Sequence, residues 1–209
     1  TALTIISVQY GSKNINSAIS AQMEAELQVQ GNKVTNYFTK IIDIANTLAS
    51  TVNSSYQQVN LDSFETELVD IVTQNDALIG SGIWFESGYF TNGIEKIGAN
   101  ATVSTAEQGM ADSEEESSEE ETIYYVGPYA IRDNGKIQIT YKYSTADNSY
   151  FKQKFYMMAK EVKSTILTEP MYDITARSFK VTAIVPMFTD NVFIGCVTVD
   201  VSLDNIKEF

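Results

Sequence analysis

Asp173 and Asp200 are the two residues whose chemistry invites a pair. Two carboxylates held about 5–10 Å apart across a cleft can divide the acid and base work of hydrolysis. Nothing in their spacing demands it. What the chain lacks is more telling: it contains no histidine. That removes Ser–His–Asp and Cys–His nucleophiles, histidine zinc sites and histidine pH switching. Cys196 is the single cysteine, so no disulfide can close within the chain. It reads as a small buried hydrophobe rather than a reactive thiol. P-loop and G-x-G-x-x-G patterns are absent.

The 209 residues carry 14 Lys+Arg against 27 Asp+Glu, a net charge of -13. An acidic chain repels phosphate, and no basic footprint marks a nucleic-acid partner. Glu107–Glu121 holds eight of the acids and no base. Such a stretch cannot bury apolar area and reads as a mobile surface insertion over 106–121. A calcium loop is disfavoured, because the alternating ligands and central glycine are missing. The hydrophobic fraction is 44%, enough for a core. No apolar run reaches the roughly 18 residues of a membrane span. The apolar start, Thr1–Val8, is either the stub of such a span or a first turn docked on the core.

Several elements must position these residues. Leu27, Val34, Ile41 and Leu48 recur at a spacing of seven, with Phe38, Ala45 and Val52 between, so Ser12–Ser54 reads as one long helix. It suits a stalk or dimer spine, or a helix packed along its own domain. Gly31 is its weak point. Asp62–Gln74 is a second helix, with Asp62 as N-cap. Strands are expected over Ala77–Phe85, from Tyr89, over Ile123–Ile131 and over Ile137–Tyr143. Asp133-Asn134-Gly135 marks a hairpin. Asn148–Lys163 is helical, and Tyr172 begins a short extended piece. Phe179–Met187 and Phe193–Val201 are strands, and Ser202 opens a final helix. Alternation puts Val197, Val199 and Val201 on one face and Asp200 on the other. Arg132 reads as a solvated turn charge and Trp84 as core. The fold class is α+β: a long helix over 1–60, then a module over 61–209 with a central five-stranded antiparallel sheet.

Three stretches carry a resemblance. They are Tyr129–Gly135 (YAIRDNG), Tyr150–Ala159 (YFKQKFYMMA) with Thr168–Asp173 (TEPMYD), and Ile184–Phe188 with Phe193–Leu203 (FIGCVTVDVSL). Together they resemble the Cache sensor domains, which are extracellular and PAS-like, of bacterial and archaeal chemoreceptors and histidine kinases. The resemblance runs from about residue 12 to the end. It implies an extracytoplasmic module anchored by membrane spans outside this stretch, and a small ligand on one sheet face. It also implies a homodimer, with no cofactor.

Amino-acid-binding relatives of this kind hold the ligand carboxylate with an Arg and a Trp-Tyr pair. A Tyr after the next proline and an Asp on the last strand hold the ammonium. On this chain the resemblance places Tyr156 and Asp200 in those roles. The arginine position is Gln153, the tryptophan position is Phe155, and the residue after Pro170 is Met171. The carboxylate clamp is lost, and Lys152 or Lys154 does not reproduce a guanidinium fork. Ordinary α-amino acids are therefore not expected to bind in the standard mode. Tyr141, Tyr143, Tyr172 and Asp173 complete the candidate pocket.

The implied function is ligand sensing by the ectodomain of a transmembrane transducer, a chemoreceptor ahead of a histidine kinase. Its mechanism needs no catalytic group. The competing readings are a ligand-free dimerisation or partner-binding ectodomain, and a hydrolase built on Asp173 and Asp200.

Overall fold

The computed structural model describes residues 2–94, 100–104, 120–174 and 177–204, and side chains within these except those of residues 2–18, 100–104 and 120–122. Helix α1 runs Ala2–Ser55 and α2 runs Leu61–Gln74. Strands follow at Leu78–Phe85 (β1), Asn100–Ser104 (β2), Glu120–Tyr124 (β3), Tyr129–Asp133 (β4) and Lys136–Thr140 (β5). Helix α3, Lys154–Glu161, precedes Ile166–Leu167 (β6), Met171–Asp173 (β7), Ser178–Thr189 (β8) and Val192–Ser202 (β9). The main sheet is antiparallel in the order β5-β4-β1-β9-β8-β6, and β7 also pairs with β8. It is α+β as expected, with seven strands instead of five. Of the two additions, β7 is the short extended piece expected at Tyr172, and β6 has only two residues, too short for any periodicity to announce.

The chain divides into two compact units, with Thr1–Lys40 in the first and Ile41–Lys207 in the second. The heptad stripe of α1 divides there too. In the first unit Ile19, Met23, Leu27 and Val34 are exposed. In the second, Ile41, Ala45, Leu48, Ala49 and Val52 are buried. Among the described residues no helix is long and apolar enough to cross a membrane.

Within the second unit, one sheet face is apolar. Val197, Val199 and Val201 of β9 pair with Val185, Ala183 and Val181 of β8. Helix α2 lies over β1, β4 and β5, with the Phe64 ring 5.9 Å from Phe85. Each fully buried side chain of this size contributes about 1.5–3 kcal/mol.

Several expected elements change in detail. The N-cap of α2 is Asn60 rather than Asp62, and its Oδ1 accepts from the Ser63 N–H at 3.1 Å. From Tyr89 the chain turns instead of extending, because Phe90 is drawn between Phe64 and Phe85 with centroids 5.6 and 4.6 Å away. The expected Ile123–Ile131 strand breaks at Tyr125–Pro128, since Pro128 has no N–H to donate to a ladder. The Asn148–Lys163 helix breaks at Gln153, which is extended (φ -79, ψ 142) between one 3-10 turn and α3. Arg132 is not solvated. Its guanidinium donates to the carbonyls of Val72 in the last turn of α2, Asn75 at its C-cap and Leu78 at the start of β1.

The hairpin at Asp133-Asn134-Gly135 holds as expected, and a second joins β8 to β9. Asn134 and Gly135, then Asp190 and Asn191, are left-handed, the geometry that two-residue turns require. Most of the 106–121 segment lies outside the described residues, its last two residues opening β3. The final helix also lies outside them, apart from a first turn at Leu203–Asp204.

Candidate functional site

Part of the second sheet face is polar, and alternation in two neighbouring strands makes it so, while Ile184 and Cys196 on the same side join an aromatic core cluster. On β8, Lys180 and Thr182 point to the side opposite Val181 and Ala183; on β9, Thr198, Asp200 and Ser202 do the same opposite the valines. Thr182 stands directly across from Asp200, and Lys180 across from Ser202. Thr182 and Lys180 are therefore the straight and diagonal neighbours of Asp200, both within reach of its carboxylate.

The third neighbour comes from two strands away. Tyr129 starts β4, beyond β1, and its hydroxyl donates to Asp200 Oδ2 at 2.6 Å. Gly80 of β1 makes that crossing possible. A Cβ on Gly80 would overlap the Tyr129 hydroxyl, and one on Gly82 would meet the Trp84 indole. Lys180 Nζ donates to Asp200 Oδ2 at 3.3 Å and to Asp173 Oδ2 at 3.0 Å, and Thr182 Oγ1 donates to Asp200 Oδ1. Asp200 is only 4% exposed.

Burial alone would lower the Lys180 ammonium, but the carboxylates of Asp200 and Asp173 outweigh it and hold it above the usual lysine range. Burial, then the Asp200 charge, pushes the Tyr129 hydroxyl well up. Both groups therefore keep their protons and donate. Asp173 and Asp200 do converge, but on one shared ammonium. That arrangement is an ion-paired cluster of two carboxylates on one ammonium, not an open acid–base pair.

Over this floor stands a cavity of about 480 Å³. Its roof is α3, which brings Gln153, Lys154, Phe155 and Met158. One wall is Leu167–Met171, and the opposite wall brings Lys142 and Tyr143. Gln153 is the N-cap of α3, yet its amide makes no capping bond. Trp84 is core, as expected, and also forms part of the lining; its Nε1 donates to Thr198 Oγ1 at 2.9 Å.

Six of the candidate ligand residues line this cavity: Asp200, Asp173, Gln153, Phe155, Tyr143 and Met171. Three lie elsewhere. Tyr156 is buried in an aromatic cluster with Tyr150, Phe151 and Phe193, and its hydroxyl donates to Glu86 Oε2 at 3.1 Å. Burial first, with nearby Tyr150 and Glu86, raises that hydroxyl far above its usual range. Tyr141 donates to Glu65 Oε1 of α2 at 2.6 Å. Tyr172 is exposed and stacks edge-on against Phe179. Lys180, Thr182, Tyr129 and Thr198 had not been singled out. The signal for three of them was present: Ser178, Lys180 and Thr182 alternate just as Thr198, Asp200 and Ser202 do. No local pattern points to Tyr129, which reaches Asp200 only across β1.

This architecture is similar to solved sensor domains. The extracellular domain of mmHK1S-Z3, described as a histidine kinase, superposes with a TM-score of 0.60 at 21% identity over 83% of this chain and 55% of that one. Methyl-accepting chemotaxis protein X gives 0.53 at 17% identity over 86% and 63%. The ligand-binding domain of the Campylobacter jejuni chemoreceptor Tlp3, in complex with 4-methylisoleucine, gives 0.54 at 11% identity over 87% and 57%. The chain thus spans little more than half the length of these structures. At such identities the likeness is one of fold. No curated protein matches the sequence. The model of the methyl-accepting chemotaxis protein-like first PDC sensor domain matches residues 64–208, the stretch that holds the sheet, α3 and the cavity, and the chain belongs to that family.

Proposed function

We propose that this chain is the extracytoplasmic ligand-sensing part of a transmembrane receptor, a chemoreceptor in preference to a kinase. The observation that carries this reading is the roofed cavity on the polar sheet face. Its volume lies within the roughly 300–1,000 Å³ of small-molecule sites, and it combines aromatic residues with three lysines and three carboxylates. A solved relative of the same fold, Tlp3, carries 4-methylisoleucine, which supports a small molecule as the occupant.

Contacts within the second unit suggest the output. Thr165 Oγ1 is 2.8 Å from Asn46 Oδ1 on α1, one residue before β6, and the strand leads into the cavity wall. Thr189, at the end of β8, is 3.4 Å from Asn53 on the same helix. Occupancy of the cavity would favour one placement of the Leu167–Met171 wall, and through Thr165 one setting of α1. Leu27 and Val34, exposed at heptad spacing, would meet a second copy as a homodimer.

The test is a thermal-shift screen of the dialysed protein with amino acids, amines, carboxylates, sugars and purines. A ligand at one hundred times its Kd adds about 2.7 kcal/mol, roughly 5–10 °C for a chain of this size. A shift lost in Gln153→Trp, which fills the cavity from its roof, supports the reading. No shift from any class moves the chain to the ligand-free, partner-binding alternative.

A further inference from the structure

We infer that this cavity selects small organic carboxylates and rejects amines and α-amino acids, because Lys180 already serves as the cation of its acidic floor. The inference rests on the sensor reading of the cavity and names its ligand class.

An amine ligand needs a carboxylate with acceptors to spare. Asp200 is the deep carboxylate of the lining, and three donors from its own chain converge on it. Tyr129 and Lys180 reach Oδ2, and Thr182 reaches Oδ1. Asp173, the next acid, accepts from the same ammonium at 3.0 Å. An incoming ammonium would have to evict Lys180 or lie against a like charge. The position in which a ligand amine would be neutralised is filled by a side chain.

Donors remain open. An ammonium carries three N–H groups, and Lys180 directs two of them at Asp173 and Asp200. Thr198 Oγ1 accepts from Trp84 and keeps its own hydrogen to give. The Gln153 amide at the roof brings two N–H donors. Lys142 and Lys154 line the walls, and neither forms an ion pair among the described residues. Lys142 lies over the Tyr143 ring, 4.8 Å from its centroid. Against these two lysines stands one exposed carboxylate at the rim, Glu169. The body of the ligand meets Trp84, Tyr129, Tyr143 and Phe155. An anionic head on Lys180 and Thr198, with an apolar or aromatic body, satisfies what the cavity leaves unsatisfied.

The experiment is calorimetric titration of the full chain with three molecules of one skeleton: 3-phenylpropionate, phenethylamine and phenylalanine. Propionate and ethylamine form a smaller matched pair. The carboxylate is expected to bind at least about tenfold tighter than the amine, as like charge against Lys180 implies. Phenylalanine should also be weaker than 3-phenylpropionate. Lys180→Met leaves two acids facing the cavity and should reverse the order, favouring the amine. Should that variant not fold, Lys154→Glu at the exposed roof should weaken the carboxylate several-fold and leave the circular dichroism spectrum unchanged. Amine or amino acid binding as tight as the carboxylate overturns the inference and leaves the sensor reading standing. So does a purely neutral ligand, such as a sugar, from the wider screen. Silence from every compound in both sets removes the sensor reading and the inference with it.

Discussion

A tyrosine, a carboxylate and a lysine meet twice in the second unit. At the cavity floor Tyr129 and Lys180 converge on Asp200, at 2.6 and 3.3 Å. Beyond the end of β1, Tyr156 and Lys160 converge on Glu86, at 3.1 and 2.9 Å. The partner types are the same, and the distances are similar. Burial differs. The side chains of Lys180 and Asp200 are 20% and 6% exposed, and those of Lys160 and Glu86 are 56% and 23% exposed. At the floor little water can replace a lost partner, so each member depends on the other two. At the second triad, water competes for both charges and the ion pair weakens. The same chemistry is therefore a fixed charge pattern at the floor and a loose clasp between α3 and the end of β1 at the other.

The strongest way to break this contrast is to delete each carboxylate. Asp200→Ala strands the hydroxyls of Tyr129 and Thr182 and should cost about 3–5 kcal/mol in urea unfolding. Glu86→Ala should cost about 1 kcal/mol, mainly the lost acceptor of Tyr156. Equal costs would show that burial does not separate the triads. Gly80→Ala is next. Its methyl pushes Tyr129 off Asp200, an overpacking cost of about 1–3 kcal/mol. A crystal structure of that variant with the Tyr129–Asp200 bond intact would contradict the crossing argument. Lys160→Met should change stability by less than about 1 kcal/mol, within the range of exposed pairs.

The smallest effect concerns pH. Tyr129 and Lys180 both sit above their usual values in the folded chain. Their contribution is therefore complete below their unfolded values, about 10 and 10.4, and fades as pH rises through the higher folded ones. Stability measured from pH 6 to 9 should show no slope from either group. Above about pH 10, wild type should lose stability more steeply than Tyr129→Phe, which lacks the ionising hydroxyl. Parallel curves for the two proteins would show that Tyr129 carries no such linkage.

The triads also explain how far the site was legible. Family resemblance placed Tyr156 and Asp200 as partners around one ligand, and the fold puts them in different triads. Tyr156 lies on the inner side of α3, turned into the aromatic cluster, while Phe155 and Gln153 face the cavity. A one-residue step on a helix rotates a side chain by about 100°, so a motif can match in spacing and still deliver a different face. The alternation Thr198, Asp200, Ser202 in β9 and the matching alternation Ser178, Lys180, Thr182 in β8 carry the same information, and together they put Lys180 on the face of Asp200. Arg132 was hidden for a different reason. Its partners are backbone carbonyls at the end of α2 and at the start of β1, which no side-chain pattern records.

By itself, the sequence determined the local choices. Heptad spacing made α1, Asn-Gly and Asp-Asn made the hairpin turns, and alternation gave Lys180–Ala183 of β8 and Val197–Ser202 of β9 one polar and one apolar side. These follow from helix and strand periods and from which residues tolerate left-handed backbone, all properties of a few neighbouring residues. The absence of histidine removed whole classes of catalysis before any fold was known. Only the tertiary structure decided which charges neutralise one another. Lys180 could have faced solvent or a ligand. Sheet order and register set it between Asp173 and Asp200, and Gly80 of β1 lets Tyr129 close the cluster. Charge pairing depends on three-dimensional distance and on how little water remains between the groups, and neither is a property of position along a chain.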